Sequence, residues 1–271
     1  MIFSYILWLS LGMLVLAAIF PSNQRGKSFI GGAGWIVFSL HWFAQPFHYL
    51  AIGDYFNSVA TIVAAVLCVF LGIYLLRSSS TSAQDHQLKQ VFRATNAAAI
   101  GGMIYFMFAE IASLNYWLIA NVTSQTEWLL NSIGFFPIRS SWNVISLNNE
   151  GVEIVLACTA IESIALFAGV TLTCIDASFK RVILAFLASV PVIYLLNLLR
   201  NVFVIVAYGF AWFGSPDYSF YLAHHVIAKI GSTIALFVIA YVVLNILPEL
   251  LDMIDGIFNM VKNSIKRYIG G

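Results

Sequence analysis

Cys158, Arg200 and the adjacent His224 and His225 are residue types that together can open a peptide bond and pass its acyl half to another group. A thiolate is the attacking form of cysteine, and a nearby cation favours it over the thiol. Arg200 or a protonated histidine could supply that cation. Attack on a peptide carbonyl builds an oxyanion, which a guanidinium can stabilise. The departing amine needs a proton, and an imidazole is suited to give one near neutral pH. The acyl-thioester left on sulfur can then go to a second nucleophile instead of water. Taken singly, each residue has a plainer reading. A cysteine in an apolar segment is usually a small core residue, and Cys68 and Cys174 are read that way. An interfacial arginine commonly reaches toward headgroups, and a histidine at a helix mouth is often just an interface residue. Glu162 follows Cys158 by one helical turn in "GVEIVLACTAIESIALFAGV". It is read as a structural partner for Arg200 or Lys229 in preference to a catalytic role.

The elements that must hold these residues are membrane helices. The chain is 61% hydrophobic and 9% charged, with a mean hydropathy of +0.90. Soluble chains are nearer half apolar and a quarter charged. Repeated apolar runs of about 20 residues mark membrane-crossing helices. The expected fold is all-α: a polytopic integral membrane bundle of about seven helices, near residues 2–20, 29–48, 57–76, 95–119, 152–174, 182–212 and 223–247. The whole chain, residues 1–271, reads as one domain without repeats or low-complexity tracts. The first span lacks a basic leader and a clear small-residue cleavage site, so it is read as retained. The net charge of +1 gives no nucleic-acid footprint. The three cysteines have neither metal-site spacing nor a disulfide framework, and nothing in the sequence calls for a cofactor.

Ten of the 13 lysines and arginines fall in alternate polar breaks or in the tail. By the positive-inside rule those segments are cytoplasmic, which puts the N-terminus outside and the C-terminus inside. With about 1.5 Å of rise per helical residue, Arg200 lies about 29 Å above Arg181, and Cys158 about 24 Å above Cys174. The two histidines open the last span at the same level. Three chemically useful groups from three successive spans therefore reach the outer side of the membrane. The semi-apolar stretch 121–150 would suit an interfacial lid or groove. The small-residue patches "GGAG" (31–34) and "AAAIGG" (97–102) would let another helix approach closely, including a substrate helix. Glu110, His41 and His48 are expected in the outer half. An ion-coupled transporter is the rival reading, because ionisable groups in spans often serve transport. The polar groups here gather at one surface, however, and transporters usually bind at the midplane.

"LACTAIES", "LLNLLRNVFVIVAYG" and "AHHVIAKIGS" resemble three motif blocks of the exosortase/archaeosortase family, within residues 150–250. The resemblance implies a membrane cysteine transpeptidase acting on exported proteins that carry a C-terminal sorting signal. That signal is a Pro-Gly-Phe-type motif, a transmembrane helix and a basic tail. The enzyme cuts near the motif, and the new C-terminus is joined to a membrane lipid. Surface-layer glycoproteins are the expected substrates, and the site would face the extracellular side of the cell membrane. Carried onto this chain, the nucleophile is Cys158 and the first arginine is Arg200. The third position, a His or Arg in the family, falls on the histidine pair. His225 is preferred because an apolar run follows it directly, with His224 as the alternative. Glu162 and Asn201, inside the first two blocks, are candidate supporting residues.

Overall fold

The computed structural model describes residues 2–20, 24–51, 53–78 and 82–269. The polar breaks at 21–23 and 79–81 lie outside the described residues. The chain folds as two compact units, one comprising residues 1–103, 172–176 and 248–271, the other residues 104–171 and 177–247.

The first unit contains α1 (Ile2–Ile19), α2 (Gln24–Ala51), α3 (Tyr55–Arg77), most of α4 (Ser82–Glu110) and α10 (Pro248–Ile269). Asp54 starts α3 by accepting the Asn57 amide at 3.0 Å, as N-cap carboxylates do. The glycines of "GGAG" are spent on packing within the chain. A Cβ on Gly32 would stand 2.9 Å from the Gly72 carbonyl oxygen, and one on Gly34 would stand 3.1 Å from Leu14. Side chains there would force α2 away from α3 and α1, so this patch is an internal helix seam and not an open face for a substrate helix. Trp35 Nε1 donates to Thr95 Oγ1 at 2.9 Å, tying α2 to α4. His41 is buried and stacks on Phe38.

The second unit is built on α5 (Ala112–Ser132), α6 (Ile161–Leu172), α7 (Phe179–Gly209), α8 (Pro216–Phe220) and α9 (Ala228–Ile246), with a π-helical turn at Tyr221–Ile227. It also holds a small antiparallel sheet, β1 (Ile138–Ser141), β2 (Val144–Leu147) and β3 (Glu150–Glu153), in the order β1-β2-β3. Asn148 and Asn149 take φ of 52° and 73° and turn β2 into β3. Asparagine tolerates this left-handed pair, which matches the twist of a hairpin. Leu118, Val122, Ile145, Leu147, Ile154 and Ile205 are among the buried residues that join α5, the sheet and α7 into one core. At Gly209 a Cβ would stand 2.8 Å from the Leu147 carbonyl oxygen, so only glycine lets the end of α7 meet β2.

Among the described residues, four helices are long and apolar enough to cross a membrane: Asn57–Arg77, His86–Glu110, Phe179–Gly209 and Pro216–Ile246. The fold is that of a helical membrane protein with one small sheet added. Three details differ from the sequence expectation. The run near 95–119 is broken at Ile111, whose extended backbone separates α4 from α5. The stretch 121–150 is the end of α5 followed by strands that the all-α expectation did not include. Residues 152–174 are not one helix: β3 ends at Glu153, a tight turn follows, and α6 has 12 residues. At about 1.5 Å per residue, α6 falls short of a bilayer core of about 30 Å.

Candidate active site

Cys158 sits in the 3-10 turn Leu156–Thr159 between β3 and α6. Its amide donates to the Val155 carbonyl at 2.8 Å. Thr159 closes the turn by donating its hydroxyl to the Leu156 carbonyl at 2.6 Å. Ala160 then takes a left-handed φ of 57°, a conformation that a residue with a Cβ adopts only when its surroundings hold it. The chain changes direction there, and Ile161 begins α6. Cys158 and Glu162 are therefore not successive turns of one helix.

Two buried asparagines fasten this turn to α7. Asn197 Nδ2 donates to the Cys158 carbonyl at 2.7 Å, and Asn201 Nδ2 donates to the same oxygen at 3.0 Å. Asn197 is 7% exposed and Asn201 5%. They are four residues apart, so both point from one face of α7. Arg200 lies between them in sequence, next to Asn201. Sequence reasoning gave Asn201 only a supporting role and missed Asn197. The signal was there: "NLLRN" sets two amides at helical spacing inside an apolar run, where unpaired polar groups are costly.

Arg200 meets His224 from the π-helical turn, with Nη2 3.4 Å from Nε2. The His224 ring stacks flat on Phe220, centroids 5.2 Å apart and planes within 5°. His225 is exposed, packs against Tyr221 at 5.5 Å and meets His224 edge-on at 4.6 Å. Neighbouring residues on a helical turn point in different directions, so the two histidines meet different surroundings, and π-helical turns recur at functional sites. Arg200 Nε and His224 Nδ1 are buried with no hydrogen-bond partner among the described residues. Glu162 is exposed and accepts from the Tyr105 hydroxyl at 3.5 Å. Among the described residues it makes no ion pair with Arg200 or Lys229, so the pairing expected from the sequence is absent. Cys68 and Cys174 are buried, whereas Cys158 is partly exposed. Among the described residues no cluster of three His, Cys, Asp or Glu side chains could hold a metal ion.

A turn that bends a cysteine onto an Asn-Arg-Asn helix face, with a histidine on the arginine, is a recognisable arrangement of parts. Residues 1–246 match the family model described as transmembrane exosortase (Exosortase_EpsH). The chain belongs to the transmembrane exosortase family. This exosortase-family protein is also similar to archaeosortase A of Haloferax volcanii, with 27% identity over 94% of the chain and 92% of that protein. It is 29% identical to archaeosortase A of Natronomonas pharaonis over 40% of the chain and 39% of that protein. No solved structure matches it. The matched region takes in the β3–α6 turn, α7 and the π-helical turn, so all the candidate site residues lie inside it.

Proposed function

We propose that this protein is a membrane sorting transpeptidase whose nucleophile is Cys158. Exported proteins with a C-terminal sorting signal, surface-layer glycoproteins among them, are its substrates. The signal is of the Pro-Gly-Phe type followed by a transmembrane helix and a basic tail. Cys158 Sγ attacks the carbonyl carbon at the cleavage point. Arg200 stabilises the oxyanion, and the C–N bond breaks as the leaving amine takes a proton. Of the two histidines, His224 is the proton carrier, a choice made on its contact with Arg200. His225, preferred on the sequence alone, takes a secondary place. The acyl-thioester then passes to a membrane lipid. The site faces the extracellular side, where exported chains emerge, with the N-terminus outside and the C-terminus inside.

The observation that carries this reading is the pairing of Arg200 with His224 on the α7 face whose asparagines hold the Cys158 carbonyl. Few other roles ask for a cation, an imidazole and a fixed thiol turn together. The test is to incubate the purified protein with a peptide carrying the sorting motif and to search by mass spectrometry for a covalent adduct. An adduct on Cys158, lost in Cys158→Ala, supports the assignment. Processing that survives in a well-folded Cys158→Ala protein removes the cysteine from the mechanism.

A further inference from the structure

A cavity of about 340 Å³ lies between α7 and α9 in the second unit. Arg200 lines it at one level, together with Ile227 and Ala228, and Ile193 and Ile239 line it further along. Ile193 to Arg200 spans seven residues of α7, and Ala228 to Ile239 eleven of α9, so the cavity is about 10–17 Å long at 1.5 Å per residue. Its lining includes no acidic side chain. Both bounding helices are long and apolar enough to cross a membrane. Ala160, two residues past Cys158, and Asn197, which holds the Cys158 carbonyl, are also in the wall.

Apart from Arg200, Asn197 and two serines the walls are apolar, and a space of about 340 Å³ holds a single hydrocarbon chain. At the Arg200 level the cavity offers a guanidinium whose Nε has no hydrogen-bond partner among the described residues, and guanidinium is the side chain best matched to phosphate. The page of α9 facing the cavity is kept low by Gly231, where an added Cβ would meet nothing within 4 Å. The space is thus real at that position and can be filled without a clash.

We propose that this cavity is the seat of a phosphate-bearing membrane lipid, its tail between α7 and α9 and its headgroup at Arg200. The inference rests on the transpeptidase reading for its consequence and supplies that reading with an acceptor site. The headgroup nucleophile, a hydroxyl or amine, attacks the acyl-thioester carbonyl. The new C–O or C–N bond replaces the C–S bond, sulfur leaves as thiolate, and the proton shed by the nucleophile returns to it through His224.

The experiment fills the cavity with Gly231→Leu, and with Ala235→Phe as a second variant, in the full-length protein. Native mass spectrometry from an uncharged detergent measures retention of lysophosphatidylglycerol, with monoacylglycerol as the phosphate-free control. The wild type is expected to retain one lysophosphatidylglycerol at least tenfold better than monoacylglycerol, and both variants to lose that retention at unchanged melting temperature. Equal retention of the two lipids, or full retention by both folded variants, overturns the proposal whether or not the protein is an enzyme. In a reaction with the motif peptide in phospholipid bilayers, the variants are expected to shift the ratio of lipid-linked to hydrolysed product at least tenfold toward hydrolysis. An equal fall in both products assigns the cavity to the peptide and also refutes the lipid site. Absence of any Cys158 adduct in the wild type defeats the transpeptidase reading while leaving the binding result to stand by itself.

Discussion

The two amides on the Cys158 carbonyl make a sharp test, because removing one and removing both are physically different acts. In Asn197→Ala the carbonyl keeps the Asn201 bond, and in Asn201→Ala it keeps the Asn197 bond. Each single change should therefore destabilise by about 1 kcal/mol, the usual net worth of a neutral hydrogen bond. The double variant leaves the oxygen among buried residues with neither donor, which adds a desolvation penalty of about 1–3 kcal/mol. The double effect should exceed the sum of the singles by that amount, well outside the scatter of about 0.3–0.5 kcal/mol expected for independent sites. Denaturant unfolding in micelles reads the stability coupling. The single-turnover rate of adduct formation on Cys158, measured on folded protein, reads positioning. A tenfold slower reaction in the double variant corresponds to about 1.4 kcal/mol at the transition state. Strictly additive unfolding energies, with adduct formation as fast as in the wild type, would refute the idea that these asparagines aim the thiol.

Three other outcomes are expected. Arg200→Ala should reduce adduct formation by at least a hundredfold, while Arg200→Lys leaves a measurable trace through its retained charge but loses the planar fork; an active Ala variant removes Arg200 from the chemistry. His224→Ala should lower turnover by about a hundredfold or more, in the range of general acid–base catalysis, and His225→Ala by less than fivefold; the reverse order restores His225 to the third position. Asp176 carries the pH dependence. The hydrogen bond from Arg93, and the one from Lys89 with Nζ 3.1 Å away, hold its carboxyl below the usual carboxylate range. A lowered folded-state pKa contributes stability above the ordinary carboxylate pKa, and that contribution is lost as pH falls through the folded value. Asp176→Asn should thus melt lower than the wild type at neutral pH, with the gap closing in acid. The gap should stay under about 1 kcal/mol, because Asp176 is 42% exposed and screened; a gap that does not shrink as pH falls below the ordinary carboxylate range contradicts the cause given.

Hydropathy reads α7 well because its apolar run is long enough to outweigh Pro191, Asn197, Arg200 and Asn201, and the helix continues through all four. It fails at 152–174 because the turn and the helix that follow β3 are both apolar, so composition carries no sign of the change in backbone between them. The bend depends on a left-handed Ala160, and alanine is no turn signal. The sheet was missed because its strands have four residues each, although "LNNE" is a hairpin pattern that period-2 reading could have found. Within the site, residue types were legible and pairing was not. Cys158 and Arg200 stood out as reactive groups in apolar surroundings. The preference for His224 over His225 rests on its contact with Arg200, which a helical wheel does not show, because it sets the two about 100° apart and gives neither priority. The Glu162 pairing failed for the related reason that a wheel was drawn through a bend.

The wide turn at Tyr221–Ile227 also keeps everything after it in phase. A π-turn amounts to one surplus residue in an α-helix, fitted into nearly the same rotation, so Gly231 and Ala235 line the α7 side as they would without it. Deleting a single position there should restore ordinary pitch and leave the α9 surface where it is. The same deletion past Ala228, where the helix is ordinary, should turn the rest of α9 by about 100°.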